Sequence, residues 1–243
     1  MLSEDKFFEK AEKFALYPSV DGSTYYTYEE LIAKIKDTQT DKDDKTVILY
    51  ASDKEAQHSY INAAKAKGYE VLLLDSPIVP HLLQKLETSK EKIAFARVDA
   101  DHIDNLIKKE DTTISKLSDE EKETLKGQIE ETIGEKSSFT VQLEAMDSSA
   151  QPFIITEPEF MRRMKDMQQT GGGGMFGMGN MPDMYNLIVN TNNDLVNEIL
   201  NTKTAKRRER LINQSLDLAR LSKGLLKGEE LTNFISRSYE MIK

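Results

Sequence analysis

The chain contains no cysteine, which excludes disulfides, thiolate nucleophiles and cysteine-ligated zinc. Its three histidines, His58, His81 and His102, are far apart in sequence. Neither H-x-x-x-H nor H-E-x-x-H occurs, so no metal site is expected. Basic residues are in the minority, 33 Lys and Arg against 42 Asp and Glu, and the net charge is −9. Nucleic acid is therefore not an expected partner, because phosphate backbones are met by clustered cations. No apolar run reaches the roughly 18 residues a membrane-crossing helix needs, so no membrane partner is expected. Met1 leads straight into the charged "SEDKFFEK", so a secretory leader is not expected and a cytoplasmic location is. G-x-G-x-x-G and Walker A patterns are also missing, which removes the usual phosphate-cradling loops.

What is present is an ordinary soluble composition, 38% hydrophobic and 31% charged over 243 residues, enough for one large or two small domains. "LSEDKFFEKAEKFALY" reads as a helix, with Ser3 as cap and Phe7, Ala11 and Phe14 as its stripe. "TYEELIAKIKD" reads as a second, with a Thr27–Glu30 capping box and Leu31 and Ile35 on one face. From residue 47 the pattern changes. "VILYA", "YEVLLL" and "KIAFARV" are continuous apolar runs, as expected of strands covered on both faces. Between them lie a helix ending near Gly68 and a shorter one in "SPIVPHLLQKLE". Right-handed crossovers make this a three-layer α/β domain with a parallel sheet, spanning 1–112. Asp53 and Asp75 follow the first and second strands, where α/β ligand sites often lie, and both also suit caps or turns.

Residues 113–243 read as a second domain of class α+β. Ser118 and Glu121 make another capping box, ahead of Leu125, Ile129 and Ile133. "FTVQLEAM", "PFIIT" and "YNLIV" are three short strands. A helical hairpin ends the chain, "TKTAKRRERLINQSLDLARLSKGLL" and "EELTNFISRSYEMIK", divided at Gly228. Its apolar residues need a cover, which is either the chain's own sheet or the hairpin of a second subunit. The cluster Lys206, Arg207, Arg208 and Arg210 reads as a solvated helix face.

The stretch 157–184, "EPEFMRRMKDMQQTGGGGMFGMGNMPDM", holds seven of the ten methionines. Its glycines are no P-loop, since no Lys-Ser or Lys-Thr follows them and the helix precedes them. Phe160, Met161, Met164 and Met167 share one helix face, with Arg162, Arg163, Lys165 and Asp166 on the other. Met175 and Phe176 extend the apolar set into the glycine-rich insert. Such a stripe is either core filling or an adaptable surface for varied apolar partners.

"KTVILYASDKEAQHSYINAAKAKGYEVLLLDSPIVPHLLQKLE" resembles the ninety-kilodalton heat-shock chaperone family, HtpG branch, with Gly68, Glu70, Val71, Leu72, Leu73 and Leu74 matching the family's Gly-x-Glu-Val-Leu-Leu-Leu strand. The likeness continues through "EFMRRMKDMQQT" and "NLIVNTNND" to the terminal helices, although "VNTNND" lacks the family's proline. It implies a carboxyl-terminal part of the middle domain (1–112) followed by the dimerisation and client-binding domain (113–243). It implies that the ATP-binding domain and the hydrolysis-assisting arginine of full-length members, which use ATP and Mg, are not in this sequence. No catalytic residue and no cofactor is then expected here. The implied partners are a second copy of the chain and non-native client proteins. The implied client contacts are Phe160, Met161, Met164 and Met167, with Met175 and Phe176. The implied dimer contacts are Leu211, Ile212, Leu218, Leu225, Leu231, Phe234 and Ile235. The alternative is an α/β enzyme that binds a small phosphorylated ligand at the carboxyl edge of its sheet.

Overall fold

The computed structural model describes residues 4–110, 113–134, 138–163 and 184–242. They fall into two compact units. The first is Met1–Glu110 with Glu157–Met181, and the second is Asp111–Thr156 with Pro182–Lys243. The stretch from Glu157 thus groups with the first unit although it follows residue 112 in sequence.

The first unit is built on three parallel strands, β3 (Thr46–Ala51), β4 (Val71–Leu73) and β5 (Ile93–Arg97), in the order β4-β3-β5. Every residue of β3 is buried, as the unbroken apolar run requires of a strand covered on both faces. Ile48, Tyr50, Leu72 and Phe95 pack on one face against α1 (Asp5–Ala11), α2 (Tyr28–Ile35) and α4 (Val79–Ser89). Val47, Leu49 and Val71 pack on the other against α3 (His58–Ala66) and the segment of α5 (Ile103–Leu106). A two-stranded hairpin, β1 (Tyr17–Pro18) and β2 (Tyr25–Tyr26), adjoins β4 through a Ser19–Leu72 bridge. Thr27 and Glu30 form the expected capping box on α2. Gly68 follows α3 at φ 75°, a left-handed C′ conformation that favours glycine.

The first helix departs from its expected stripe. Phe8 is the buried residue at 4% exposure, whereas Phe7 and Phe14 stand out at 51% and 82%. The α-helix stops at Ala11 and tightens into a 3₁₀ turn, which takes Phe14 off the periodicity. Ser3, the expected cap, lies outside the described residues.

The second unit opens with α6 (Asp119–Ile133), started by the Ser118–Glu121 box. Its sheet has the order β6-β8-β7, from β6 (Phe139–Glu144), β7 (Phe153–Thr156) and β8 (Tyr185–Asn190). β6 runs parallel to β8 and β7 antiparallel to it. Between β7 and β8 the chain joins the first unit as α7, helical from residue 159 and described to 163. After β8 come α8 (Asp194–Asn201), α9 (Ala205–Ser222) and α10 (Gly228–Ile242). Val141, Phe153, Ile155, Leu187 and Val189 meet Leu125 and Ile129, Val196 and Ile199, and Ile212 and Leu216 in one core. α8 was not read from the sequence, although Asn193 caps it through Leu195 and Val196 and Ile199 share its inner face.

β8 runs into four residues that tie this unit together. Asn190 donates to Asp147 O (2.8 Å) and accepts from the Met146 and Asn192 amides. Asn192 accepts from the Lys116 amide (2.8 Å) and donates to Ile114 O and Met146 O. Thr191 joins Ser115 to Glu144 O. Asn193 donates to Ala150 O while capping α8. Asparagine amides here satisfy backbone groups that no strand ladder reaches.

Candidate functional site

Three surfaces bear on function. The first is α7. Its leading residues join the α/β unit through charge. The Glu157 amide donates to Asp99 O (3.2 Å), and its carboxylate accepts from Arg97 (3.1 Å). Arg97 also forks onto Asp99 (2.5 and 3.0 Å), which accepts from Gln57 (2.7 Å). Arg162 donates to the Tyr50 hydroxyl (2.5 Å), lies over that ring and pairs with Glu159. Arg163 forks onto Glu87 (2.7 and 3.1 Å) and donates to Phe95 O (2.9 Å) and to Glu159 (2.7 Å). Burial pushes the Tyr50 hydroxyl up to about 12, with the Glu159 charge adding to the effect. The Glu87 bond raises Arg163 further above its ordinary range.

Of the residues placed on the face opposite the methionines, Arg162 is 4% exposed and Arg163 half-buried. The Glu159 spacing to both arginines was legible as i, i+3 and i, i+4 pairs. Their partners on β3, α4 and β5 were not. Phe160 points the other way, 71% exposed, with Met161 half-buried. Met164, Met167, Met175 and Phe176 lie outside the described residues.

The second surface belongs to α9 and α10. Ile212 is fully buried and Phe234 nearly so, which places both in the chain's own core rather than on a face open to a second copy. Leu211, Leu225 and Leu231 are half-buried. Leu218 (51%) and Ile235 are exposed, and with them Leu221 and Tyr239, which sequence reasoning did not single out. Leu218 and Leu221 share a face of α9 at i, i+3, and Ile235 and Tyr239 a face of α10 at i, i+4. Asp217 accepts from Arg237 and Arg220, and Arg220 pairs with Glu230, which holds the two helices side by side. Lys206, Arg207 and Arg210 are exposed.

The third is the carboxyl edge of the β4-β3-β5 sheet, where ligands of α/β proteins commonly bind. A cavity of about 330 Å³ opens there, lined in part by Tyr50, Ser52, Asp75, Ser76, Arg97 and Arg162. The amides of the turn after β3 already have partners. Ser52 and Asp53 donate to Gln57 Oε1, and Glu55 and Ala56 to Asp53 Oδ1. Asp53 is thus a turn residue outside the cavity lining, while Asp75 lines it. Both cavity arginines are already paired with carboxylates, so an anion entering here meets neutralised cations. Among the described residues no group of three or more potential ligands could hold a metal ion, and no helix is long and apolar enough to cross a membrane.

No protein-family model matches the chain. Individual proteins do. It is 35% identical over 308 aligned positions to "Chaperone protein htpG" of Bacteroides fragilis (strain YCH46), covering 100% of this chain and 45% of that protein. The figures are the same for "Chaperone protein HtpG" of Porphyromonas gingivalis (strain ATCC 33277). For that of Bacteroides thetaiotaomicron the identity is 36% over 310 positions, again 100% of this chain and 45% of the relative. The chain spans less than half the length of these relatives, and the part matched is carboxyl-terminal.

Proposed function

From its likeness along its whole length to the HtpG branch of the ninety-kilodalton heat-shock chaperones, we propose that this chain is the part of such a chaperone that pairs with a second copy and holds non-native proteins. That likeness is the observation that carries the reading. Two structural features support it. A large aromatic residue, Phe160, stands in solvent on a helix held at its start by ion pairs. Four large apolar side chains, Leu218, Leu221, Ile235 and Tyr239, project from the final two helices. Exposed apolar side chains grouped on helix faces mark protein-binding surfaces more often than chance.

In this reading α9 and α10 meet their counterparts in a second copy about a two-fold axis. Phe160 and Met161 contact apolar segments of unfolded clients in the cytoplasm. The chain performs no chemistry and takes no cofactor. ATP use belongs to parts of the full-length relatives outside the matched stretch.

Sedimentation of the chain at micromolar concentration is expected to give a dimer, and Leu218→Glu with Ile235→Glu a folded monomer. A monomeric parent chain would overturn the pairing. Phe160→Ser is expected to weaken suppression of the aggregation of a chemically unfolded test protein several-fold. Full activity of a folded Phe160→Ser, Met161→Ser variant would overturn the client contact.

A further inference from the structure

We propose that Glu87–Arg163 and Asp99–Arg97–Glu157 form a positioning latch, which fixes the first turn of α7 on the α/β unit and so sets where Phe160 is displayed. The latch itself stands on geometry alone. Its consequence for clients rests on the reading above.

The first turn of α7 has little apolar means of staying in place. Phe160 is turned to solvent and Met161 is half-buried. No residue from 157 to 163 joins either apolar cluster of the first unit. A first helical turn has no stability of its own to rely on, because nucleation is unfavourable and few bonds repay it. Its anchors are polar and distant in sequence. Asp99 O and Arg97 hold Glu157, the Tyr50 hydroxyl holds Arg162, and Glu87 with Phe95 O holds Arg163. Three separate elements, β3, α4 and β5 with its following loop, therefore grip seven consecutive residues.

The two arginines are gripped in a defined way. Glu159 accepts from both, which fixes them relative to the helix that carries them. Arg163 presents a planar fork to both Glu87 oxygens, a geometry an ammonium cannot reproduce. Glu87 is in turn oriented by the Phe95 amide (2.8 Å). An apolar residue is thus held out by a charged clasp, so client contact and anchoring use different side chains of one turn. That separation makes the latch testable apart from the surface it displays.

The test uses the full chain and hydrogen exchange of amides 159–163, with β3 as the control for folding. Glu87→Gln keeps the acceptor for the Phe95 amide and removes the charge; Arg163→Gln removes the fork. Each is expected to raise exchange at 159–163 about tenfold or more, since breaking a partly buried ion pair leaves its partner uncompensated, while β3 stays protected. Arg163→Lys is expected to fall between Arg163→Gln and the parent, and it serves if a glutamine variant fails to fold. Unchanged exchange at 159–163 in the folded variants overturns the latch. Capture of a chemically unfolded test protein is then compared across the same set. A fall that follows the exchange ranking supports positioning, and faster exchange with undiminished capture overturns it. If Phe160→Ser leaves both latch exchange and capture unchanged, the fault lies with the client reading and not with the latch.

Discussion

The two units differ in the charge their interior polar side chains carry. In the first, the tied polar side chains include a partly buried charged set that binds mostly other side chains, Arg97 with Asp99 and Glu157, Arg162 with Glu159, and Arg163 with Glu87, alongside neutral Gln39 and Gln57, which bond backbone as well. In the second they are neutral and bind mostly backbone: Asn190, Thr191, Asn192 and Asn193 reach carbonyls and amides of 114–116 and 144–150. The difference has physical consequences. A side-chain pair is two removable partners, and its charges carry desolvation costs that their attraction must offset. An amide bonded to backbone has a partner that no substitution short of proline deletes, so losing the amide strands that group.

The largest expected effect comes from breaking the charged set at its centre. Arg97→Met leaves Asp99, 2% exposed, and Glu157 without their shared cation. The expected loss is about 3–5 kcal/mol, the usual cost of an uncompensated buried charge, read by urea unfolding with exchange at β3 to β5. Because the partners are side chains, a double-mutant cycle of Arg97→Met with Glu157→Gln is expected to show coupling of about 1 kcal/mol or more. Strict additivity would mean that the pair is incidental.

Asn192→Ala comes next. It strands the Lys116 amide and the Ile114 and Met146 carbonyls. At about 1–3 kcal/mol for an unsatisfied buried group, lessened where water enters, the expected total is roughly 2–4 kcal/mol. The loss should appear in exchange at β6 and β8 and leave β3 protected. No second side-chain replacement is expected to restore it. A compensating mutation at 114, 116 or 146 would break the contrast between the units.

The same contrast explains what the sequence discloses. Both parallel-sheet faces, both capping boxes and the three short strands of the second unit follow from local pattern, because burial on one or two faces imposes a period that neighbouring residues share. The clasp on α7 does not. Tyr50 lies 112 residues from Arg162, and Glu87 lies 76 from Arg163, so nothing near "EFMRRMKD" tells a paired arginine from a solvated one. "VNTNND" likewise shows only a departure from the pattern of the family it resembles, and its side chains at 190–193 prove to be the unit's internal ties. Exposure of Phe160 and burial of Ile212 were equally hidden. Helical spacing gives the side of a helix but not which side the fold covers.

Alkaline titration should separate the units by a smaller margin. Burial pushes the Tyr17 and Tyr50 hydroxyls from 10 up to about 12, and Tyr26, Tyr28 and Tyr69 are also raised, all in the first unit. A raised folded value means that the unfolded chain loses its proton first. Stability is therefore whole below pH 10 and falls as pH rises through 12. At pH 11 the loss is about 1 kcal/mol for each of Tyr17 and Tyr50. The urea midpoint of the first unit should drop between pH 9 and 12, less steeply in Tyr17→Phe. A second unit that loses stability equally over that range would refute the assignment of this titration to the first.

The capping boxes provide the smallest effect and the internal standard. Thr27 with Glu30 and Ser118 with Glu121 use the same reciprocal bonds, 2.8 Å from each cap amide to its glutamate. Thr27→Ala and Ser118→Ala each lose one cap acceptor at a helix start, and each should cost about 1 kcal/mol. Amide and hydroxyl bonds from Thr27 hold the Glu30 carboxyl below its ordinary value. That contribution is present above the usual glutamate range and disappears as pH falls, so the gap between parent and Thr27→Ala should narrow in acid. Each loss should stay within its own unit, measured by exchange at α2 and α6. If Thr27→Ala also loosened α6, stability would be shared between the units, and the charged and amide interiors would be two parts of one cooperative fold.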